Sequence, residues 1–520
     1  MNELRKKLTP LHALALLIAV NLILAFFVGD EFGEAWDEPS FYLYGERSYD
    51  AYIRGLNGKP LIPEKHIFFI DLRYYGPVYT AFGWKIVDTL TPIFETWKYA
   101  DLWHLANFTF FQLSLAALYV LAKRYTPPWT AFGVTALFAA QPLLFGHAFI
   151  NPKDTPFMVF FMASIYLGLR MTDATPRSSG KLIWLILAGI LLGMTISFRV
   201  LGPLAGIIAL TNAAIKDWKN ALTICVPYLL IAGTTAYLTW PFLWGAPIPN
   251  YLESLSLMSK FPFDAMVLFN GTLLPPDRIP RFYFPVMFAL QLTESLLLLF
   301  GLGFTLLVLS FRKKEVLEPI TIFAGWFLLP ASAIVLLRSN LYDNARQLYF
   351  LFPPMFLAAG FAIDWVFNRV TRPIHRSIFL LFTVLPGLIA FVRLHPYEYV
   401  YYNSLIGGVD GAVRRFETDY WGISFKEAMG YVNSVAPEGA RILILAGPND
   451  IASSYARPDM EVVTEETDYS EEKLYDYVLI LTRKNVNEGR CKKSETVHTV
   501  GRGEAVFTFI KKLGPEGRCK

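Results

Sequence analysis

The chain has 520 residues, 54% of them hydrophobic and 16% aromatic, and only 17% charged. Soluble domains carry about a quarter charged residues, so this balance excludes an ordinary soluble protein and points to a polytopic membrane protein. The net charge of +4 comes without a concentrated basic tract, which argues against a nucleic-acid partner.

The mean hydropathy of +0.38 agrees with that class. Three cysteines are too few for a disulfide scaffold and lack metal-ligand spacing. Cys225 lies in an apolar run. Cys491 and Cys519 share the polar C-terminal part, where a pair and two free thiols are both open.

A spanning helix needs about 20 mostly apolar residues. The first candidate is roughly Leu8–Val28. Met1–Thr9 is basic, but no small-residue cleavage site follows, so the run reads as a signal anchor. Arg5, Lys6 and Lys7 before it favour a cytoplasmic N-terminus. The next loop is then on the outer face. It carries Glu34-Ala35-Trp36-Asp37-Glu38-Pro39, two adjacent carboxylates where a helix should emerge into water. Carboxylates near the bilayer are costly unless they have work to do.

Pro39–Leu56 has the spacing of an amphipathic surface helix, and Pro77–Ile93 of a second surface helix or a short span. Further spans are expected at Leu102–Ala122, Trp129–Phe149, Phe157–Met171, Leu182–Phe198, Leu201–Ile215, Ala221–Trp240, Phe284–Phe311, Pro319–Leu337, Leu348–Phe367 and Ser377–Leu394. That makes about eleven in all. Basic residues, including Lys123, Arg124, Arg177, Lys181, Lys216, Lys219, Arg312, Lys313 and Lys314, mark the inner loops. From His395 the composition changes. A helix over Ser424–Val435 and strands over Arg441–Ala446, Tyr477–Leu481 and Ala505–Ile510 suggest a small α/β domain, residues 395–520, on the outer side. The expected fold class is thus a polytopic α-helical membrane domain, residues 1–394, with a small extracytoplasmic C-terminal α/β domain.

Several side chains are candidates for chemistry. Asp37 offers a base for taking a proton from a hydroxyl, with Glu38 beside it. Asp37 before Pro39 is also a good helix-start signal, so a capping role stands beside the catalytic one. Asn151-Pro152-Lys153-Asp154-Thr155-Pro156 is a tight turn between two spans on the same face. Asp154 there is a second acidic candidate, able to orient substrate or a metal, and Lys153 a neutralising partner; Asn, Pro and Asp are also ordinary turn residues. Arg73, Arg199, Arg278, Arg281, Arg338 and Arg346 are outer-side cations suited to a phosphate, and each is also suited to snorkelling toward lipid headgroups. Arg73-Tyr74-Tyr75-Gly76-Pro77 sets two phenols and a stiff Gly-Pro beside the charge, and Arg346-Gln347 opens a span containing Pro353-Pro354. Glu294 lies in an apolar run, as a functional group or an interfacial one. His147 reads as a satisfied polar group at a helix end. Asn270-Gly271-Thr272 matches the glycosylation sequon.

Taken together these motifs resemble the GT-C superfamily, glycosyltransferase family 39 above all, which includes protein O-mannosyltransferases and the lipid A aminoarabinose transferase. The resemblance rests on Asp37-Glu38 after the first span, Tyr75-Gly76-Pro77, the 151–156 turn, and Arg346-Gln347-Leu348-Tyr349 leading into Pro353-Pro354. The segments His395–Tyr399 and Asp419–Gly422 also look like bacterial members. The resemblance implies a polyprenyl-phosphate-linked sugar donor, an outer-face active site and inversion at the sugar carbon. It implies Asp37 as general base, Asp154 as second acid, and Arg73 and Arg346 as lipid-phosphate contacts, with Tyr74, Tyr75, Lys153 and Arg199 as further substrate-binding candidates. Arg-Tyr-Tyr-Gly-Pro stands where the lipid A transferase type has a Lys-Pro-Pro-like element. No organic cofactor is called for, and a divalent metal stays open. The acceptor is unassigned. A transporter or flippase of lipid-linked sugars is the competing class; it predicts internal repeat symmetry and charges deep in several spans, and neither is apparent.

Overall fold

The computed structural model describes residues 9–57, 72–173, 179–259, 261, 263, 265–344, 346–464, 474–486, 489–491, 494–514 and 519. The basic residues Arg5, Lys6, Lys7 and Arg177 lie outside them.

The helical part opens with α1 (Pro10–Val28), capped by Thr9, whose hydroxyl accepts the His12 N–H. The amphipathic α2 (Glu38–Leu56) follows, then α3 (Val78–Leu90) and α4 (Tyr99–Tyr125). At 13 residues α3 is about 20 Å long, too short to cross a bilayer. Next come α5 (Pro128–Ala139) and α6 (Pro142–Ile150), bent by 65° at Gln141, then α7 (Asp154–Asp173) and α8 (Ser179–Phe198). The long α9 (Pro203–Thr239) has a non-helical break at Asp217. After α10 (Pro247–Ser259) and the hairpin β1 (Val267–Phe269) and β2 (Thr272–Leu274), α11 (Tyr283–Gln291) turns by 117° into α12 (Glu294–Leu309). The set closes with α13 (Leu317–Leu337), α14 (Phe352–Arg369) and α15 (Pro373–Leu394).

Among the described residues seven helices are long and apolar enough to cross a membrane, or nine with each bent pair taken as one span; Leu182–Phe198 is a shorter apolar helix. The break in α9 sits beside an ion-pair cluster of Arg124, Asp173, Lys216 and Glu318. Arg124 and Asp173 come from the C-terminal ends of α4 and α7, Glu318 from the start of α13 and Lys216 from α9 next to its break, so the cluster braces one end of the bundle. The far end of α9 returns to the opposite face, where the Thr239 carbonyl accepts from Tyr52 Oη. By length and composition the described residues thus hold seven to nine candidate spans, against the about eleven expected from sequence, because the expected pair Leu201–Ile215 and Ala221–Trp240 is one bent helix and Leu182–Phe198 is short. The expected single span Phe284–Phe311 is instead broken at Leu292. Glu294 therefore begins a helix, where its carboxylate accepts the Ser404 N–H at 2.6 Å.

The C-terminal part holds α16 (Phe425–Val435), β3 (Arg441–Leu445), α17 (Asn449–Tyr455), β4 (Glu461–Thr464), β5 (Tyr477–Leu481), β6 (Glu495–Arg502) and β7 (Ala505–Lys512). The sheet order is β4-β3-β5-β7-β6, parallel across β4, β3 and β5 and antiparallel beyond. The buried strands β3 and β5 read RILIL and YVLIL, as two-faced burial requires. Cys491 and Cys519 form a disulfide. The sequon Asn270–Thr272 occupies the β1–β2 turn, and Asn270 Oδ1 accepts from Arg415 at 2.9 Å.

One apolar core runs through both parts: Phe149, Tyr349, Tyr399, Trp421, Phe425 and Ile444 belong to it. Its closeness depends on Gly146. A Cβ there would lie 2.3 Å from the Tyr399 backbone nitrogen, so only glycine lets residues 398–402 lie against α6.

Candidate active site

The site is assembled from helix ends that share one face of the bundle. Asp37 follows α1, Lys153 and Asp154 join α6 to α7, Arg199 joins α8 to α9, and Arg346 opens the 3-10 turn Arg346–Leu351 before α14.

The loop bearing Asp37 is held from the C-terminal part. Trp36 N–H donates to the Trp421 carbonyl at 3.1 Å, Glu34 N–H to Tyr455 Oη at 2.8 Å, and Lys426 Nζ to the Phe32 carbonyl at 3.0 Å. Asp37 occupies the N-cap position of α2 but makes no side-chain cap. Glu38 instead ties down the turn that precedes the helix. Its Oε2 accepts the Ala35 N–H at 2.7 Å and lies 3.1 Å from His104 Nε2, fully buried. Glu38 thus faces away from Asp37 and fixes the turn that aims it.

Asp37 Oδ2 lies 2.7 Å from Lys153 Nζ and 3.7 Å from Arg346 Nη2. Burial works against its charge, but Lys153 and Arg346 outweigh that, and its carboxyl titrates below the ordinary carboxylate range. Its side chain keeps 32% of its exposure, so it remains open to a substrate.

Asp154 is 2% exposed. Its Oδ1 pairs with Arg199 Nη2, and its Oδ2 accepts from Arg346 Nη1 and Asn151 Nδ2, each at 3.0 Å. Asn151 Oδ1 in turn accepts the N–H groups of Lys153 and Asp154, at 3.2 and 2.9 Å. The turn chemistry and the charged site are therefore one object: the Asx turn that starts α7 also presents Lys153 and Asp154. With its amide oxygen so engaged, Asn151 donates to His147 Nδ1 at 3.0 Å. That leaves His147 Nε2 to carry the proton and donate to Tyr420 Oη at 2.9 Å.

Arg346 also donates to Asp343 Oδ2 at 3.0 Å and stacks 4.8 Å from the Trp421 ring. Asp343 Oδ1 accepts from Arg483 Nη2 at 2.8 Å. Four cations, Lys153, Arg199, Arg346 and Arg483, thus meet three carboxylates, Asp37, Asp154 and Asp343. One positive charge is left over within this chain of ion pairs.

Tyr75 reaches the edge of the group, its ring 5.7 Å from the Arg199 guanidinium and 6.4 Å from Phe41. Gly76 permits this, because a Cβ there would lie 1.9 Å from the Ser197 carbonyl oxygen. Arg73 and Tyr74 belong to a second cluster with Trp240 and Phe242. Arg73 Nη2 donates to Tyr74 Oη at 2.6 Å and lies 3.5 Å from Glu253 Oε1, and Tyr74 Oη donates to Glu253 at 2.8 Å. Among the described residues no three His, Cys, Asp or Glu side chains converge as a metal cage. Asp343, Asn151, Trp421 and Arg483 were not singled out from sequence as site members. A polar residue two or three positions before a known candidate was the available signal for Asn151 and Asp343, and nothing local marks Arg483.

Residues 103–244 match the family model described as dolichyl-phosphate-mannose-protein mannosyltransferase. That segment carries Asn151, Lys153, Asp154 and Arg199, and leaves out Asp37 and Arg346. No curated protein sequence matches the chain. Among solved structures, the apo form of ArnT from Cupriavidus metallidurans is 12% identical, with 96% of this chain and 97% of that one aligned and a TM-score of 0.51. The same protein bound to undecaprenyl phosphate gives 12% identity, 97% and 99% coverage and 0.50. The archaeal oligosaccharyltransferase AglB from Archaeoglobus fulgidus, in complex with an inhibitory peptide and a dolichol-phosphate, gives 11%, 92% and 70%, and 0.49. The chain has the GT-C fold that its sequence motifs resemble, and within that fold residues 103–244 match the mannosyltransferase family model.

Proposed function

We propose that this protein is an integral-membrane glycosyltransferase that moves a sugar from a polyprenyl-phosphate carrier to an acceptor hydroxyl on the outer face of the membrane, with the N-terminus cytoplasmic and the sheet domain extracytoplasmic. The observation that carries the reading is the pairing of an accessible carboxylate, Asp37, with Lys153 and Arg346 in a group that keeps one excess positive charge. That excess suits the single negative charge of a phosphodiester. The ArnT form with undecaprenyl phosphate, on the same fold, supports the class of carrier.

In this mechanism the phosphodiester competes with Asp37 for Lys153 and Arg346. As it takes them, Asp37 loses the partners that hold its proton affinity down. The acceptor oxygen attacks the sugar carbon from the side opposite the phosphate, its proton passes to Asp37, and the bond from carbon to phosphate oxygen breaks with its electron pair on the phosphate. Inversion follows from the single displacement. The leaving phosphate gains a negative charge, so fixed cations favour the transition state over the bound donor. Asp154 holds Arg199 and Arg346 at fixed places and Glu38 sets the Asp37 turn, so both are positioning groups.

The test is release of free polyprenyl phosphate from a sugar-loaded carrier, in membranes that contain acceptors. Wild type releases it and Asp37→Asn does not. Equal release by the variant removes Asp37 from the chemistry. Movement of intact carrier across the bilayer, with no transfer, replaces the enzyme by a flippase.

A further inference from the structure

We propose that Arg483, supplied by the C-terminal sheet, is part of the phosphate-binding site: it holds Asp343 and so leaves Arg346 free to serve the anionic carrier. The inference rests on the polyprenyl-phosphate reading above and adds a residue, and a domain, to it.

Arg483 stands just past the end of β5 and is nearly buried, with 10% of its side chain exposed. Its Nη2 donates to Asp343 Oδ1 at 2.8 Å, and the other oxygen of Asp343 accepts from Arg346 at 3.0 Å. Its guanidinium also lies 5.0 Å from the ring of Trp36, the residue before Asp37. One side chain of the sheet thus touches the loop of the proposed base and the partner of the main phosphate cation.

Asp343 is the hinge of the argument. It is 5% exposed and has two cations. With Arg483 gone, the whole charge of Asp343 falls on Arg346, and the group of ion pairs becomes neutral. A neutral group attracts an anion less.

The backbone gives an independent sign. Among the described residues nine non-glycine residues have positive φ, and four of them lie at or beside this one contact: Asp343 at 48°, Asn344 at 61°, Lys484 at 56° and Asn485 at 60°. Asp and Asn adopt this conformation at small cost and Lys484 at a larger one, and such conformations gather where a site demands them. Here they occur on both sides of a single ion pair, between segments 140 positions apart in the chain.

Binding of undecaprenyl phosphate to the purified full-length protein in nanodiscs, read by native mass spectrometry, tests this. Arg483→Gln is expected to weaken binding about tenfold, and by less at high salt. Arg483→Lys keeps the charge and recovers most of the affinity. Arg483→Gln combined with Asp343→Asn restores the excess charge and is expected to bind within about threefold of wild type. A merely structural Arg483 gives the opposite ranking, with the double variant no better than the single. If Arg483→Gln does not fold, the double variant, which leaves neither group of the pair charged, decides by the same margin. Failure of wild type to bind, or Arg346→Gln binding as tightly as wild type, overturns the carrier reading and this inference with it. Loss of binding in Arg346→Gln with full binding in Arg483→Gln overturns this inference alone.

Discussion

Lys153 Nζ stands 2.7 Å from Asp37 Oδ2, across a separation of 116 positions. The proposed base and a proposed phosphate ligand neutralise one another, and the donor's phosphate is what would separate them. Catalytic competence is then coupled to donor binding.

Removing the lysine exposes that coupling. Asp37 titrates below its ordinary range because Lys153 and Arg346 favour its charged form over the opposing effect of burial. Its charge supports the fold above the ordinary carboxylate range, and that support is lost as pH falls through the lowered value. Lys153→Ala raises the value. The acid limb of the transfer rate is expected to move to higher pH, and the maximal rate to fall. A pH–rate profile of purified wild type and variant checks both.

Arg346 is 2% exposed and bridges Asp37, Asp154 and Asp343. Truncation leaves buried carboxylates with fewer partners, a loss of about 3–5 kcal/mol. Arg346→Ala is therefore expected to unfold well below wild type in detergent, by calorimetry or a thiol-independent dye. Arg346→Ala with Asp343→Asn recovers part of the loss, because one buried charge goes with it.

Glu38 and Asp37 are adjacent in sequence and separable in effect. Glu38→Gln keeps an acceptor for the Ala35 N–H, so transfer is expected to fall less than tenfold, whereas Asp37→Asn costs about 10²–10⁴-fold. Equal losses in the two variants contradict the assignment of Glu38 to the turn.

Arg73 separates the ion-pair group from a neighbouring cluster. It is 31% exposed and pairs with Glu253, which is 49% exposed. Pairs of this kind contribute about 0–1 kcal/mol. Arg73→Ala is expected to leave both the melting temperature and polyprenyl-phosphate affinity close to wild type. A tenfold loss of affinity returns it to the phosphate site.

Glu417 provides a pH test of the junction between the two parts. Burial pushes its carboxyl from the ordinary 4.5 up to about 7, against the pull of Arg483. The fold therefore prefers it neutral. Its contribution is full below the ordinary value and is lost as pH rises through about 7, by roughly 3 kcal/mol at the limit. Glu417→Gln is expected to raise the melting temperature at pH 8 and change it little at pH 4.5.

Much of this was legible because it is local. An apolar run near the length of a bilayer reads as a span in any context, and Asn-Pro-Lys-Asp reads as a turn. The edge strands β4 and β6 escaped notice because GluValValThr and GluThrValHisThrValGlyArg are short or polar, having one side unpaired in the sheet. The break in α11–α12 escaped because Leu292 and Thr293 are as apolar or neutral as a helix interior. The second Tyr of Arg73-Tyr74-Tyr75 approaches Arg199 while the first turns to Glu253, a difference that adjacency in sequence cannot encode.

The sequence by itself determined the solvent each segment needs: apolar length set the spans, and the motif residues Asp37, Lys153, Asp154, Arg199 and Arg346 could be named as charges placed where charge is costly. Tertiary structure alone decided which of these charges meet. Asp37 pairs with Lys153, Glu38 turns to His104, Arg73 goes elsewhere, and Arg483 enters from the sheet. Burial is a property of one segment and its own composition. An ion pair needs two side chains within a few ångströms, and that distance is fixed by how remote helix ends and a strand end pack together.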